Sequence, residues 1–324
     1  MIAASVRATR SAAIAALLLA LAFARPSAAP SAFFADYRDG AAIDEHLDAL
    51  AAEHRDVART YGIGRSSEGR LIRVIEVGRG DIAIAIDGGH HAREWISVMT
   101  PACIADRLVR GDASDPRIHR ILDRARFAIV PIVNPDGYAY TWTTDRTWRK
   151  SRRGGHGVDL SRNYPVGWGT AGSSDDPASP NYRGEAPFSE PETRAMRDLF
   201  DTRAFAAHVD FHSYSQVIVY PWSHRRDDPP DRDRLALLAE RTRAAMTATH
   251  GERYTVRAGS ELKTGAGGTA GDWSYGHHGA LSLLVELRPS SGAGGGFELP
   301  PDQIVPTCDE ALAGVLALAE TLIE

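Results

Sequence analysis

The chain alternates between short apolar runs and longer stretches of helical period. Residues 41–60 place apolar side chains at the spacing of an amphipathic helix. Residues 71–77 alternate as a strand does, and 81–87, DIAIAID, predict a second strand ended by Gly88-Gly89. Helical spacing returns over 94–110. Residues 127–133 are apolar and β-branched, closed by Asn134-Pro135-Asp136-Gly137, a turn signal. A helix is predicted over 190–200, where Ser-Glu-Pro-Glu puts proline in the first turn. Residues 206–220 read as a strand with a polar break at His212-Ser213-Tyr214, 232–250 as a helix, 281–287 as an apolar strand carrying one acid, and 303–324 as a closing helix.

Strands alternating with helices predict an α/β fold: a single domain with a central mixed, mostly parallel sheet flanked by helices. In such sheets sites gather at the carboxyl ends of strands. The polar clusters at 90–94, 134–137, 212–214 and 286 all fall near the ends of apolar runs.

The first residues follow a different pattern. Arg7 and Arg10 precede an apolar stretch, 11–24, that is short and alanine-rich, and Ala22-Phe23-Ala24 offers a small-x-small cleavage site. This is the order of an export signal. It predicts a signal over 1–24 with cleavage between 24 and 32, a short segment over 25–36, and a catalytic domain over 37–324. No second long apolar run follows, so the expected product is secreted or periplasmic, without a membrane partner once the signal is removed.

Length and composition are those of a globular protein of 324 residues. The net charge of −5 provides no polybasic surface for nucleic acid. Lys150 and Lys263 are the only lysines among many arginines. Export permits disulfides; Cys103 and Cys308 are the two cysteines, and a bridge and two buried thiols are both compatible with the sequence.

The chemistry begins at Gly88-Gly89-His90-His91-Ala92-Arg93-Glu94-Trp95, between a strand and a helix. His91 and Glu94, three apart, bring an imidazole and a carboxylate towards one point, a pairing zinc accepts. A helix-terminal acid beside a surface histidine has the same pattern. A catalytic zinc takes three protein ligands and keeps one open position, and His212, polar within an apolar run, is the natural third. Glu286 in LSLLVEL needs either a cation such as Arg288 or a cleft to face; in a partly dry cleft its pKa rises, which suits a general base.

These segments resemble the zinc carboxypeptidase family that includes pancreatic carboxypeptidases A and B. GGHHAREWIS is similar to its first zinc motif, and VPIVNPDGYAYTWTTDRTWRKSRR to its Asn-Pro-Asp-Gly segment with the following arginines. GVDLSRNYPVGWG is similar to its Gly-x-Asp-x-Asn-Arg-Asn motif, DFHSYSQVIVYPW to its second zinc motif, and GDWSYG with LSLLVELRPS to the region of its catalytic glutamate. FELPPDQIVPT resembles its entry to the last helix. The blocks keep the family's order over 37–324.

The resemblance implies a zinc-dependent exopeptidase that hydrolyses the C-terminal bond of peptides or proteins, with one zinc per chain, acting as a monomer. His91, Glu94 and His212 match the metal ligands, His90 being a neighbour. Glu286 matches the general base, and Asp159 the acid that orients the first zinc histidine. Arg149 matches the arginine that stabilises the oxyanion, and Arg162 the one that clamps the terminal carboxylate. Arg93 and Arg146 match accessory cations along the substrate groove, and Tyr214 a groove-lining residue.

Three positions depart from the pattern. Ser161 stands where the family has asparagine before the clamping arginine. Thr264 falls where the family carries a mobile tyrosine, and no tyrosine lies between Tyr254 and Tyr275. Gly271 matches the position that sets side-chain preference, so the resemblance implies a deep uncharged pocket. Leu284 and Val219 as its lining favour an apolar or aromatic C-terminal residue; Lys263 reaching in favours an acidic one. The short segment after the signal implies that no long inhibitory pro-segment is made. Two other functions compete: a related zinc amidohydrolase acting on cell-wall peptides or acyl-amino acids, and a binding module on an inactive peptidase scaffold, which the presence of all three ligands and the base disfavours. Neither a Gly-x-Ser-x-Gly elbow nor His-Glu-x-x-His is present.

Overall fold

The computed structural model describes residues 31–324. The export signal expected over 1–24 lies outside the described residues. Within them the chain forms eight strands and eight α-helices. The strands are β1 (Ala58–Arg65), β2 (Leu71–Gly78), β3 (Ile82–Gly88), β4 (Ala125–Val130), β5 (Ala207–Ser213), β6 (Val217–Tyr220), β7 (Thr255–Ala258) and β8 (Leu281–Leu287). The helices are α1 (Gly40–Glu53), α2 (Trp95–Asp112), α3 (Pro116–Arg124), α4 (Pro135–Thr143), α5 (Pro191–Asp201), α6 (Arg232–His250), α7 (Ala270–His278) and α8 (Ile304–Ile323). None of them is long and apolar enough to cross a membrane.

One mixed sheet runs in the order β1-β2-β4-β3-β5-β8-β6-β7. Its centre, β4-β3-β5-β8, is parallel, and antiparallel pairing enters at β1-β2, β2-β4 and β6-β8. Successive side chains of a strand face opposite sides, and two cores follow from that. Ile84, Ile86, Val209, Phe211, Leu283 and Val285 join the helical layer that includes α1, α2, α6 and α8. Ala83, Ala85 and Ala128 turn the other way, where their small size admits Phe200 of α5 and Trp273 of α7. The central strands place their polar residues on this second face.

Several boundaries differ from the sequence reading. The helix expected over 41–60 ends at Glu53, and Ala58 opens β1, which pairs with β2 from Ala58↔Val77 onward. Apolar spacing continued past the true end because Val57, in the turn before β1, and Ala58, its first residue, are buried. The turn expected at 134–137 is instead the start of α4: Pro135 takes the first helical position, and Asn134 caps it by accepting from Gly137 N at 2.9 Å. The 206–220 run is two strands, β5 and β6, on either side of β8. Phe34 is fully buried, so packing of the domain reaches back before Tyr37.

Cys103 of α2 and Cys308 of α8 form a disulfide across 205 residues of sequence. It ties together two helices that pack on the same face. Arg288, offered by the sequence as a partner for Glu286, pairs instead with Glu310 of α8, its Nε donating to Oε2 at 3.0 Å.

Candidate metal centre and cleft

The His91–Glu94 pair stands on a tight turn between β3 and α2, not on the helix: Glu94 N donates to His91 O at 3.1 Å, and Glu94 is the residue that caps α2. The turn needs the two glycines before it. A Cβ on Gly88 would lie 2.0 Å from Ser97 O, and Gly89 has φ of +67°. The helix therefore starts directly against the strand end, and both side chains point to where β5 finishes.

There His212 meets them. His91 Nδ1 is 2.8 Å from Glu94 Oε1, His212 Nδ1 is 3.0 Å from Glu94 Oε2, and the two Nδ1 atoms are 3.0 Å apart. Each imidazole has its other nitrogen on a carboxylate: His91 Nε2 on Asp159 at 3.1 Å and His212 Nε2 on Asp210 at 3.2 Å. Those contacts place the ring protons on Nε2. Both Nδ1 lone pairs then converge with a carboxylate, an arrangement that repels itself unless a proton or a metal ion lies among them.

The electrostatics show that need. Burial alone would lower the His212 pKa, but Asp210 and Glu94 outweigh it and raise it well above the ordinary value. His91 is lowered by burial and by Arg149. Burial pushes Glu94 up, yet His91 and His212 hold it below the carboxylate range. Two imidazoles and one carboxylate, with a side open to a cleft, match the ligand set of a catalytic zinc site. A second cluster, His90, Asp210 and His212, is equally compact but closed off: His90 is fully buried and its Nε2 lies 2.9 Å from Tyr164 OH.

The cleft has a volume of about 760 Å³ and is lined by His91, Glu94, His212, Arg149, Ser161, Arg162, Tyr214 and Glu286 among others. Glu286 Oε2 is buried without a hydrogen-bond partner among the described residues. Burial first and Glu94 second push its pKa up to about 8, against His212 and Arg149. Arg149 reaches the cluster from the side, its Nη2 donating to Asp159 Oδ2 at 2.8 Å and its Nη1 lying 3.8 Å from Glu94 Oε1. Asp159, pushed up by burial, is carried well below its ordinary value by Arg149 and His91.

Arg162 donates through Nε to Gly172 O at 2.8 Å and through Nη1 to Ser161 O at 2.7 Å. Beside it the Ser161 hydroxyl is buried and unpartnered. Thr264 also lines the cleft. Gly271 does not; it borders a small adjoining pocket that shares Val219, Thr269 and Leu284 with the cleft. Arg93 and Arg146 stand behind the cleft wall. Arg93 stacks on Phe297 at 4.1 Å and Arg146 on Trp95 at 3.8 Å, with Arg146 donating to the carbonyls of Arg93 and Phe297. Sequence reasoning missed Phe297, Arg257 and Asp210. For Asp210 a signal existed, the same one that marked Glu286: an acid within an apolar strand.

The family model for zinc carboxypeptidases matches residues 43–314. The chain is 39% identical to carboxypeptidase B of Astacus astacus over 295 residues, 87% of this chain and 96% of that one. It is 34% identical to carboxypeptidase A1 of Rattus norvegicus over 310 residues, covering 93% of this chain and 74% of that protein. The fold superposes on a crystal structure of thrombin activatable fibrinolysis inhibitor with a TM-score of 0.86 at 34% identity, covering 90% of this chain and 76% of that one. Fold, sequence and relatives together define a metal-dependent peptide hydrolase. The chain belongs to the zinc carboxypeptidase family and is a metallocarboxypeptidase.

Proposed function

We propose that the protein removes single residues from the C-terminus of peptides, with one zinc ion held by His91, Glu94 and His212 and with Glu286 as general base. The observation that carries this reading is the convergence of two imidazole lone pairs and a carboxylate beside a buried, unpartnered Glu286 oxygen. Zinc in that position supplies Lewis acidity to the scissile carbonyl and lowers the pKa of a water.

The remaining steps belong to the chain. Glu286 takes a proton from the attacking water on its carboxylate and hands it to the nitrogen of the departing amino acid. Its elevated pKa makes it a competent acceptor near neutrality; a nearby divalent charge brings that value down, which keeps the base ionised. Arg149, held by Asp159, presents a fixed cation where the oxyanion develops. Arg162, with two of its donor atoms already engaged on backbone carbonyls, keeps a guanidinium edge for the substrate's terminal carboxylate, and the free Ser161 hydroxyl lies next to it. Tyr214 lines the groove, and Gly271 borders the side-chain pocket. Arg93 and Arg146 support the groove indirectly, by holding Phe297 in its wall. The same reading has residues 1–24 act as an export signal, so that hydrolysis takes place outside the cytoplasm.

The test compares matched peptides with free and amidated C-termini. The zinc-loaded protein is expected to release the last residue of the free-acid peptide and to leave the amide intact. Equal cleavage of both, or cleavage at an internal bond, removes the exopeptidase reading.

A further inference from the structure

The cleft carries its acids at one end only. Its acids, Glu94 and Glu286, both sit at the reacting end, whereas Arg257 and Lys263 line it away from that end and are exposed at its rim. Strand register fixes where Arg257 stands. Glu286 is opposite Val217, and Leu284 is opposite Val219. Val219 is in turn opposite Arg257 of β7. Leu284, Val219 and Arg257 therefore form one row on the same face as Glu286, displaced from it by two residues, about 7 Å of strand; within the row Arg257 is two strands from Leu284, about 10 Å across the sheet, and its long side chain lines the same cleft. A side chain that enters beside Glu286 runs over Leu284 and Val219 and reaches the level of Arg257. Lys263 faces the same space from the loop before α7.

Neither cation has an ion-pair or hydrogen-bond partner for its side chain among the described residues, although other surface arginines nearby do, Arg232 with Asp228 for example. Beyond the row, Gly271 offers no charge, and a Cβ placed there would touch Ser282 Oγ at 3.0 Å. That hydroxyl is fully buried and unpartnered. Asp272 borders this end of the pocket as well, but its oxygens are occupied by Ser223 N at 2.9 Å and by His224 N and Nδ1 at 3.0 and 2.7 Å. A basic side chain would find no free acid at this depth.

We propose that the protein selects substrates with an acidic C-terminal residue, glutamate before aspartate, and that Arg257 and Lys263 are the residues that recognise the side-chain carboxylate. The glutamate methylenes pack on Leu284 and Val219, and the carboxylate reaches the two cations; aspartate is one carbon short. This inference rests on the carboxypeptidase reading above. It replaces the apolar preference that Leu284 and Val219 alone suggest.

The experiment measures kcat/KM of the zinc-loaded protein on four peptides that differ only in the last residue: Glu, Gln, Leu and Arg. Glutamate is expected to exceed its neutral isostere glutamine by a few-fold to about tenfold, the range that partly exposed ion pairs supply, and arginine to be the poorest. The Glu/Gln ratio should shrink as ionic strength rises. In the double variant Arg257→Gln/Lys263→Met the ratio should fall to about one, and in Lys263→Glu the Arg/Glu ratio should rise. Because each variant is read as a ratio between substrates, a common loss of rate cancels. Free glutamate inhibiting more strongly than free glutamine gives the same discrimination without turnover. A Glu/Gln ratio at or below one, or a ratio unchanged in the double variant, overturns the proposal while leaving the carboxypeptidase reading in place. Failure to cleave any of the four peptides refutes that reading, and the selectivity with it.

Discussion

His212 and Glu286 are register partners on the adjacent parallel strands β5 and β8, so a proposed metal ligand and the proposed base rise from one face of the sheet at one level. Their spacing is set by backbone ladders in the centre of the fold, which move less than loops do. The other two proposed ligands, His91 and Glu94, by contrast, arrive on a turn whose shape two glycines permit.

Glu286→Gln keeps the size of the side chain and removes its ability to take a proton. Zinc content should stay at one per chain while kcat falls by roughly 10²–10⁴-fold, the usual share of a general base. Metal analysis alongside steady-state kinetics checks both halves, and substantial residual turnover removes Glu286 from the role.

Metal uptake should release a proton. His212 is raised well above its ordinary pKa by Asp210 and Glu94 in the absence of metal, and that proton must leave before Nδ1 can bind. Zinc affinity is therefore expected to increase with pH below the His212 pKa, with calorimetry in buffers of different ionisation enthalpy reporting the proton. Asp210→Asn, which weakens the partner of His212 Nε2, should reduce affinity by about 10–100-fold.

The metal-free protein should also reveal Glu286 in its stability. A carboxyl raised from 4.5 to about 8 on folding binds more protons in the folded state than in the unfolded one across that interval. Its contribution to stability is thus lost as pH rises through the interval. Thermal melts of metal-free wild type and Glu286→Gln are expected to diverge as pH increases from 4.5 to 8, with the variant the more stable at the upper end. Parallel curves would mean that the carboxyl is not dehydrated.

Arg149 and Arg162 should separate kinetically. Arg149→Ala is expected to lower kcat by about 10²–10³-fold, as loss of an oxyanion donor does, with less effect on KM. Arg162→Ala should chiefly raise KM and reduce the discrimination between free and amidated C-termini. Arg149→Ala also strips Asp159 of its closest cation, so a fall in thermal stability should accompany it.

The disulfide supports the fold without touching the cleft. Cys103→Ala/Cys308→Ala opens a cross-link between α2 and α8 and should cost roughly 2–5 kcal/mol, read from denaturant unfolding. Peptidase activity at low temperature should persist.

Much of the site was legible as a violation of pattern. Glu286 and His212 stood out because polar groups do not belong in apolar strands without a partner or a cleft. Gly88-Gly89 before His91 marked the end of a strand. In β5, Ala207, Val209 and Phe211 alternate with His208, Asp210 and His212, so the polar row is written in the period of two. Arg93 and Arg146 were not legible in the same way: nothing local says that a cation will stack on an aromatic ring behind the groove.

The sequence by itself determined the class of fold, most of the long elements, and which residues had to be removed from the apolar core. Tertiary structure alone decided the partnerships. Arg288 meets Glu310 and not Glu286, Cys103 meets Cys308, and Arg257 lies level with Leu284 because β7 pairs with β6 in one register. Strand β1 and the short strand β7 have no periodicity strong enough to announce them; they exist because a neighbouring strand offers an edge. The physical reason is common to all of these. A strand or helix follows from interactions within a few residues, whereas an ion pair, a disulfide or a cleft wall depends on where packing brings segments that are far apart along the chain.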